Sequence, residues 1–539
     1  KMDMSYRQPV NRNSEDYYRD REDYISYNDY YDDVKNYNPV HKASKARRVI
    51  GKIILYLQAA VSILVMVLIF KMNFLPDNIT ILLGIILVIL WFIVFISQRK
   101  MMNTMQALGM VLSIIVSIIL VLGAFYLGKT DTVIQTVTRR SYDIRTYDVA
   151  VRADDAALSL SDARSYKFAV QPSFRPADLE SIVSDVEKDA GGQIKTVEFT
   201  SSSDQVKALM DGDVDAMIYN DAFTATILEQ YENFEADTRI LKAFTVRTES
   251  KIEAVDVQVD SDAFLIFISG TDTEGEVSLT GRSDVNIVVG INPDTAQILL
   301  LSVPRDYYVE FPGITAPGAR DKLTHAGIYG MDELIAVMKQ LMGQDINYYI
   351  RVNFSSMEEI VDAIGGVTVY NEQEFISHGG YYFPAGYVDM DGEYATHYVR
   401  ERLAFEDGDF ARGRNQIKVI QAMMDKLLSA NTLVNYTAIT DAISKFAATN
   451  IPSKDIMDLV KLQLSDNPQW HVVSYQLLGE VMMQPCQSAN GAYLSVDMPY
   501  KKAIEDAHEL IDQLFNGEVL TEGLSLTESD MKQYVTDPV

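Results

Sequence analysis

Three uninterrupted apolar stretches, Ile53–Phe70, Ile79–Ile96 and Leu108–Leu127, constrain this chain most strongly, because none contains Asp, Glu, Lys or Arg. Each runs for about 18–20 residues, the length a helix needs to cross a bilayer core, where open sheets and irregular backbone leave polar groups unsatisfied. Three transmembrane helices are therefore expected within residues 42–128. The first is not expected to be a cleaved signal peptide, since it starts late, lacks a small-residue cleavage site and is followed by two more spans. Lys42, Lys45, Arg47, Arg48 and Lys52 precede the first span, and Arg99 and Lys100 separate the second from the third. Between the first two lies only Lys71, near Asp77. The excess of basic residues on cytoplasmic loops places the start of the chain in the cytoplasm and everything beyond Leu127 outside the cell.

The rest of the chain is acidic, and the formal net charge of the whole is −28. Nucleic acid is excluded as a partner, because neutralising phosphates requires clustered Lys and Arg. Cys486 is the one cysteine, so no intramolecular disulfide forms, and a buried inert thiol is expected there. Residues 1–41 are polar and rich in tyrosine (Tyr6, Tyr17, Tyr18, Tyr24, Tyr27, Tyr30, Tyr31, Tyr37) without aliphatic periodicity, which predicts a disordered cytoplasmic tail. Docking or tyrosine modification is the functional alternative for that segment.

Beyond the spans, residues 142–255 read as a small α/β accessory domain. Strands are predicted at Lys167–Val170, Ile194–Phe199 and Asp215–Tyr219, with helices at Pro176–Gly191 and Asp204–Asp211. Residues 256–515 read as a larger α/β domain with a mixed central sheet flanked by helices on both faces, and 516–539 as a C-terminal tail. Phe264–Ile268, Asn286–Ile291 and Gln297–Val303 are apolar runs of the kind found in strands buried on both faces. Leu334, Met338 and Leu341 mark an amphipathic helix, and Tyr348–Phe354 a strand. Ser355 or Ser356, each with Glu three residues on, is expected to open the next helix, which ends at Gly365–Gly366. Val367–Tyr370 follows as a strand, a long helix covers about Ala411–Ser429, and helices are expected on both sides of Pro452.

Polar residues at strand ends of an α/β sheet converge on the crevice where ligands bind. Asp272 follows the strand Phe264–Ile268 and Asp284 precedes the one starting at Asn286. Two carboxylates so placed suit magnesium, which is commonly held by one or two carboxylates plus substrate phosphates, although aspartates in such places also serve as turn formers. Arg282 lies between them, Arg305 follows the third strand, and Arg400, Arg402, Arg412 and Arg414 lie further on. Arg412 and Gln416, four apart at a helix start, share one face near an end that favours anions. A single arginine in so acidic a chain is explained by surface ion pairing. A set of them at loop and strand ends beside two aspartates favours a pyrophosphate, whose oxygens guanidinium groups bind in pairs.

Gly-Thr-Asp, Gly-Arg-Ser-Asp, Ser-Val-Pro-Arg-Asp, Lys-Leu-Thr-His-Ala, Val-Asp-Ala-Ile-Gly-Gly-Val, Val-Arg-Glu-Arg and Asp-Phe-Ala-Arg-Gly-Arg-Asn-Gln occur in this order. In them the chain resembles the LytR–CpsA–Psr family of cell-wall glycopolymer ligases, over about half its length. Three spans and an accessory domain look most like the CpsA branch of streptococcal capsule proteins. The resemblance implies a phosphotransferase that attaches a glycopolymer, capsular or teichoic-acid-like, from undecaprenyl pyrophosphate to peptidoglycan. It implies that Asp272 and Asp284 hold Mg2+, and that Arg282, Arg305, Arg400, Arg402 and Arg412 clamp the pyrophosphate with Gln416 beside them. Lys322 is a further expected phosphate contact, and Asp272, Asp284 and Arg305 are the expected catalytic residues. Thr324 and His397 depart from the usual pattern. His325 is expected to be packed and hydrogen-bonded, and Asp306 and Asp409 to cap or pair with arginines. A slot for the lipid is expected along Met338, Leu341, Met342 and Ile360, where a core role is the competing reading. Two other functions fit the same residues: a non-catalytic regulator that assembles capsule proteins through the tail or accessory domain, and a lipid-pyrophosphate hydrolase.

Overall fold

The computed structural model describes residues 45–99, 103–139, 142–172, 174–249, 252–271, 277–312, 314, 318–427, 441–443 and 447–535. The expected tail over 1–41 therefore lies outside the described residues. Two compact units are present. One is built from the helix up to Val67 and from Thr80–Ala124, the other from Leu68–Ile79 and everything from Phe125 on.

The apolar stretches form helices Lys45–Met72, Asp77–Arg99 and Asn103–Arg139, each long and apolar enough to cross a membrane. Their outward faces carry residues such as Ile53, Leu82 and Leu108, more than half exposed, as lipid-facing positions should be. Inside the first unit, Ser113 Oγ donates to Gln58 Oε1 at 2.6 Å. Pairing polar groups between helices satisfies them where water is absent.

In the second unit, residues 142–249 form a five-stranded sheet. Its order is Lys195–Glu198, Lys167–Val170, Ala216–Asn220, Tyr142–Arg152, Thr238–Glu249. Helix Pro176–Ala190 packs Leu179, Ile182 and Val186 against Val149, Val151 and Phe168. Helix Ser202–Asp211 packs Val206 and Leu209 on Ala150, Ala169 and Met217. Because neighbouring strand residues point to opposite faces, the two helices cover opposite sides. The long strands Tyr142–Arg152 and Thr238–Glu249 are absent from the sequence reading, since charged residues interrupt their apolar alternation.

The larger sheet has six strands, ordered Ala447–Thr449, Tyr348–Asn353, Phe264–Thr271, Val285–Asn292, Gln297–Ser302, His471–Gln476. The three central strands pair antiparallel, while Tyr348–Asn353 and His471–Gln476 join parallel on either side. Helices Met331–Met342 and Lys501–Phe515 cover one face. Asp409–Leu427 and Ser453–Asp466 cover the other through Ile417, Ile420, Met424 and Ile456. The architecture is mixed α/β with both sheet faces covered, as the near-continuous apolar strands require.

Two local expectations change. Asn353, not Ser355 or Ser356, caps helix Phe354–Ala363, and Ser356 completes the reciprocal capping pair from the third helical position. Asn takes the cap because its carbonyl reaches the backbone N–H of Ser356 at 2.8 Å. Just before Pro452 the chain forms the edge strand Ala447–Thr449, with residues 441–443 helical ahead of it, and the helix Ser453–Asp466 begins directly after the proline. Residues 516–535 pack rather than trail. Leu520 is buried, its N–H donates to Gln297 Oε1 at 2.8 Å, and Arg320 Nη1 donates to Val535 O at 2.9 Å.

Candidate functional site

The site is assembled from loops that leave the larger sheet at one end. The segment before strand Val285–Asn292 carries Arg282 and Asp284, and it is held from below by Arg351 of strand Tyr348–Asn353. Arg351 is fully buried; it donates to Gly281 O at 2.8 Å, to Ser278 O at 3.3 Å and to Ser269 Oγ. Burial lowers its basicity, opposed by the charges of Asp284 and Asp143. Gly281 has φ 131°, a conformation open to glycine and strained for other residues. Its N–H donates to Gly327 O at 2.9 Å, and a Cβ on Gly327 would stand 2.2 Å from Gly281 O. The two glycines let loop and helix Leu323–Tyr329 touch backbone to backbone.

Arg305 follows strand Gln297–Ser302 and donates from Nη1 to Asp284 Oδ1 at 2.6 Å. Its Nε lies 3.6 Å from Asp306 and 3.9 Å from Asp409. Burial would raise the pKa of Asp284, but the guanidinium charges of Arg305, Arg412 and Arg282 outweigh it and hold the carboxyl below its usual range. Arg412 pairs with Asp409 in the first turn of helix Asp409–Leu427. Gln416, one turn on, donates to Val399 O at 3.4 Å and so ties this helix to the last turn of Gly392–Arg400. Lys322 Nζ lies 3.7 Å from Asp306 Oδ1. Arg282, Asp284, Arg305, Lys322 and Arg412 thus form one network of charge. Arg400 ends its helix and Arg402 lies just beyond it, both exposed, with the charge of Arg402 felt at Asp409.

Asp272 lies outside the described residues. Asp284 offers the hard oxygen donors that magnesium takes, and one or two carboxylates plus substrate phosphates make a usual site for that ion. Among the described residues no three acidic, His or Cys side chains gather into a ready cage, so the donor set fits an ion completed by phosphate oxygens.

His325 is fully buried. Its Nδ1 lies 2.6 Å from Asp321 Oδ1 and its Nε2 2.8 Å from Arg282 Nη2. Because Arg can only donate, Nε2 accepts and the ring proton sits on Nδ1 toward Asp321. His325 is therefore a packed, hydrogen-bonded residue that orients Arg282.

The four residues expected along a lipid slot lie in two hydrophobic cores. Met338, Leu341 and Met342 are at most 2% exposed and belong to the core between helix Met331–Met342 and the larger sheet. Ile360 belongs to a different core, with Val361, Val367 and Phe383. An amphipathic stripe marks the buried face of a helix, and here that face is filled by neighbouring side chains.

Several site residues escaped sequence reasoning. Arg351 left a signal, a lone charge inside an apolar strand pattern. Asp321 sits beside Lys322, yet its role depends on His325 and on Ser488, whose N–H it accepts at 2.5 Å. Asp497 is 4% exposed, and its Oδ2 has no hydrogen-bond partner among the described residues. Burial, with added repulsion from Asp306 and Asp409, pushes it up to about 7 against the pull of Lys322 and Arg305. The folded state then holds this proton more tightly than the unfolded chain does. Stability is expected to fall as pH rises from about 4 to about 7, by up to about 1.4 kcal/mol per pH unit from this group. Asp497→Asn should flatten that slope in melting temperatures taken across the range; an unchanged slope would count against the assignment.

The residues of the small sheet also meet the site. A cavity of about 570 Å³ is lined by Thr146, Asn220 and Leu228 on one side and by Arg282, Asp284 and Arg305 on the other. Glu229 lies 2.5 Å from Arg282 and 2.8 Å from Lys322. It carries no local sequence signal, being 53 residues from Arg282 and 93 from Lys322 along the chain.

A family model described as LytR_cpsA_psr matches residues 233–508, just over half the chain. The chain is 36% identical over 200 residues to the polyisoprenyl-teichoic acid–peptidoglycan teichoic acid transferase TagU of Enterococcus faecalis, covering 36% of this chain and 64% of that protein. The protein of the same name from Bacillus mycoides is 36% identical over 202 residues, covering 37% and 64%. The match thus spans a little under two thirds of these relatives. Among solved structures, a protein of Streptococcus agalactiae is 28% identical, with 49% of this chain and 91% of that one covered and a TM-score of 0.41.

Proposed function

Because the chain belongs to the LytR–CpsA–Psr family, we propose that it is a membrane-anchored transferase that moves a glycopolymer from a polyprenyl pyrophosphate, undecaprenyl in bacteria, to a hydroxyl of peptidoglycan. The observation that carries this reading is the shared charge network of Arg282, Arg305, Arg412 and Lys322 around the buried carboxylate of Asp284. The acceptor hydroxyl attacks the phosphorus that bears the glycan. The bond to the bridging oxygen of the pyrophosphate breaks, polyprenyl phosphate leaves with the electron pair, and the proton lost by the hydroxyl ends on that leaving phosphate, directly or through solvent. Such transfer needs little covalent participation from the protein, and its rate comes from positioning and from stabilising charge on the phosphoryl oxygens. Arg305 and Arg412 supply fixed positive charge, while His325 and Asp321 keep Arg282 turned toward the site. Asp284, with Asp272, would hold magnesium, which when bound supplies further positive charge to the phosphoryl oxygens. The three spans suit a donor that diffuses in the plane of the bilayer, with the larger domain outside by the charge of the flanking loops.

The test is to incubate the full chain in vesicles with lipid-linked glycan, peptidoglycan and magnesium. Glycan joined to peptidoglycan is the expected result. Free glycan phosphate in its place makes the protein a hydrolase, and no turnover makes it a regulator.

A further inference from the structure

The small-sheet domain meets two cations of the phosphate cradle through Glu229. Glu229 follows the short helix Thr224–Leu228 and spans two cations, with Oε1 2.5 Å from Arg282 Nη2 and Oε2 2.8 Å from Lys322 Nζ. Each carboxylate oxygen takes one cation, as two oxygens of a phosphoryl group would. Burial would raise the pKa of Glu229, but Arg282 and Lys322 lower it to about 2, so it is ionised at any physiological pH. Arg282 is itself tethered to His325, 2.8 Å from its Nη2. Asp306 also lies 3.7 Å from Lys322, but Glu229 is the carboxylate shared between both cations, and its place is the one a bridging ligand anion can take.

We propose that Glu229 is a specificity-determining residue of the donor site, an internal anion that a lipid pyrophosphate displaces and a lipid monophosphate does not. The inference rests on reading the site as a pyrophosphate cradle. A tethered carboxylate competes at a high effective concentration, so a ligand that merely substitutes for its two contacts gains little. A monophosphate head group is such a ligand. A pyrophosphate brings a second phosphoryl group that engages Arg305 and Arg412 at the same time, and those contacts exceed what Glu229 gives up. After transfer the leaving lipid retains one phosphoryl group, and the return of Glu229 to Arg282 and Lys322 favours its release. The small domain thereby sets which lipid head group stays bound, although it belongs to a different sheet from the one that carries the arginines.

The experiment measures binding of farnesyl pyrophosphate and farnesyl monophosphate to the full chain in detergent micelles, by calorimetry with magnesium present. The wild-type chain is expected to prefer the pyrophosphate by at least about tenfold. Glu229→Gln is expected to tighten monophosphate binding by about tenfold and pyrophosphate binding by less, so that the preference shrinks. Glu229→Ala, which leaves no amide in the same place, should shift the preference in the same direction. A preference unchanged in both variants, or affinity for both ligands lost while melting curves stay wild-type, overturns the proposal. A wild-type chain that binds the two ligands within about twofold of each other overturns it without any variant. A wild-type chain that binds neither ligand overturns the cradle reading itself.

Discussion

Arg305→Ala is expected to lower the rate of glycan transfer by about 10²–10³-fold while the protein remains folded. Arg305 touches Asp284 directly, at 2.6 Å, and it also lies within 4 Å of Asp306 and Asp409. Its loss removes a preorganised charge from where charge builds on the phosphoryl oxygens and the leaving group. The fold is expected to survive because Asp284 keeps the charges of Arg412 and Arg282 nearby, so its carboxylate is not left alone in a buried place. Arg305→Lys should recover part of the rate, since it restores the charge without the planar fork. Initial rates of linkage, read beside thermal melts of each variant, make the measurement. A folded Arg305→Ala protein with wild-type rates would mean that the phosphate binds elsewhere.

Arg351→Met is expected to destabilise the protein by about 2–6 kcal/mol, and to depress transfer through a residue that touches no substrate. Arg351 is fully buried and gives its donors to Ser269 Oγ, Gly281 O and Ser278 O. Methionine fills similar volume but takes the donor from Gly281 O and Ser278 O, at about 1–3 kcal/mol for each, while Ser269 Oγ keeps Ser283 Oγ as a partner at 2.5 Å. The loop freed in this way is the one that carries Arg282 and Asp284, so the surviving folded fraction should bind donor weakly. Burial of the guanidinium opposes its charge, so part of the cost of holding Arg351 there is regained in the variant. Denaturant unfolding gives the stability change, and donor titration of the folded variant gives the second. Wild-type stability in Arg351→Met would show that the loop is held by its backbone contacts alone.

The legible parts of this protein are those in which one local pattern has one physical outcome. Apolar length without charge specifies spans, and runs such as Gln297–Val303 specify strands covered on both faces. Helix Pro176–Ala190 was legible from a proline in its first turn and a following glycine, Gly191, which takes φ 75° at the helix end. The edge strand Thr238–Glu249 was not, because many of its side chains meet solvent and the pattern blurs. Met338, Leu341 and Met342 show the limit from the other side. The same stripe serves a filled core or a ligand slot, and packing, which no local pattern encodes, selects the core.

At the site, the sequence by itself determined that the chain carries membrane-length helices, a covered mixed sheet, and arginines and aspartates stationed at the ends of its strands. Those follow from periodicity and from the rule that polar groups at strand ends face a crevice. Tertiary structure alone decided that Arg305 takes Asp284, that His325 turns Arg282, that Arg351 holds the loop from beneath, and that Glu229 reaches in from another sheet. Each is a contact between residues far apart along the chain, fixed when two packed surfaces meet, and the free energy of such a contact belongs to the pair rather than to either residue.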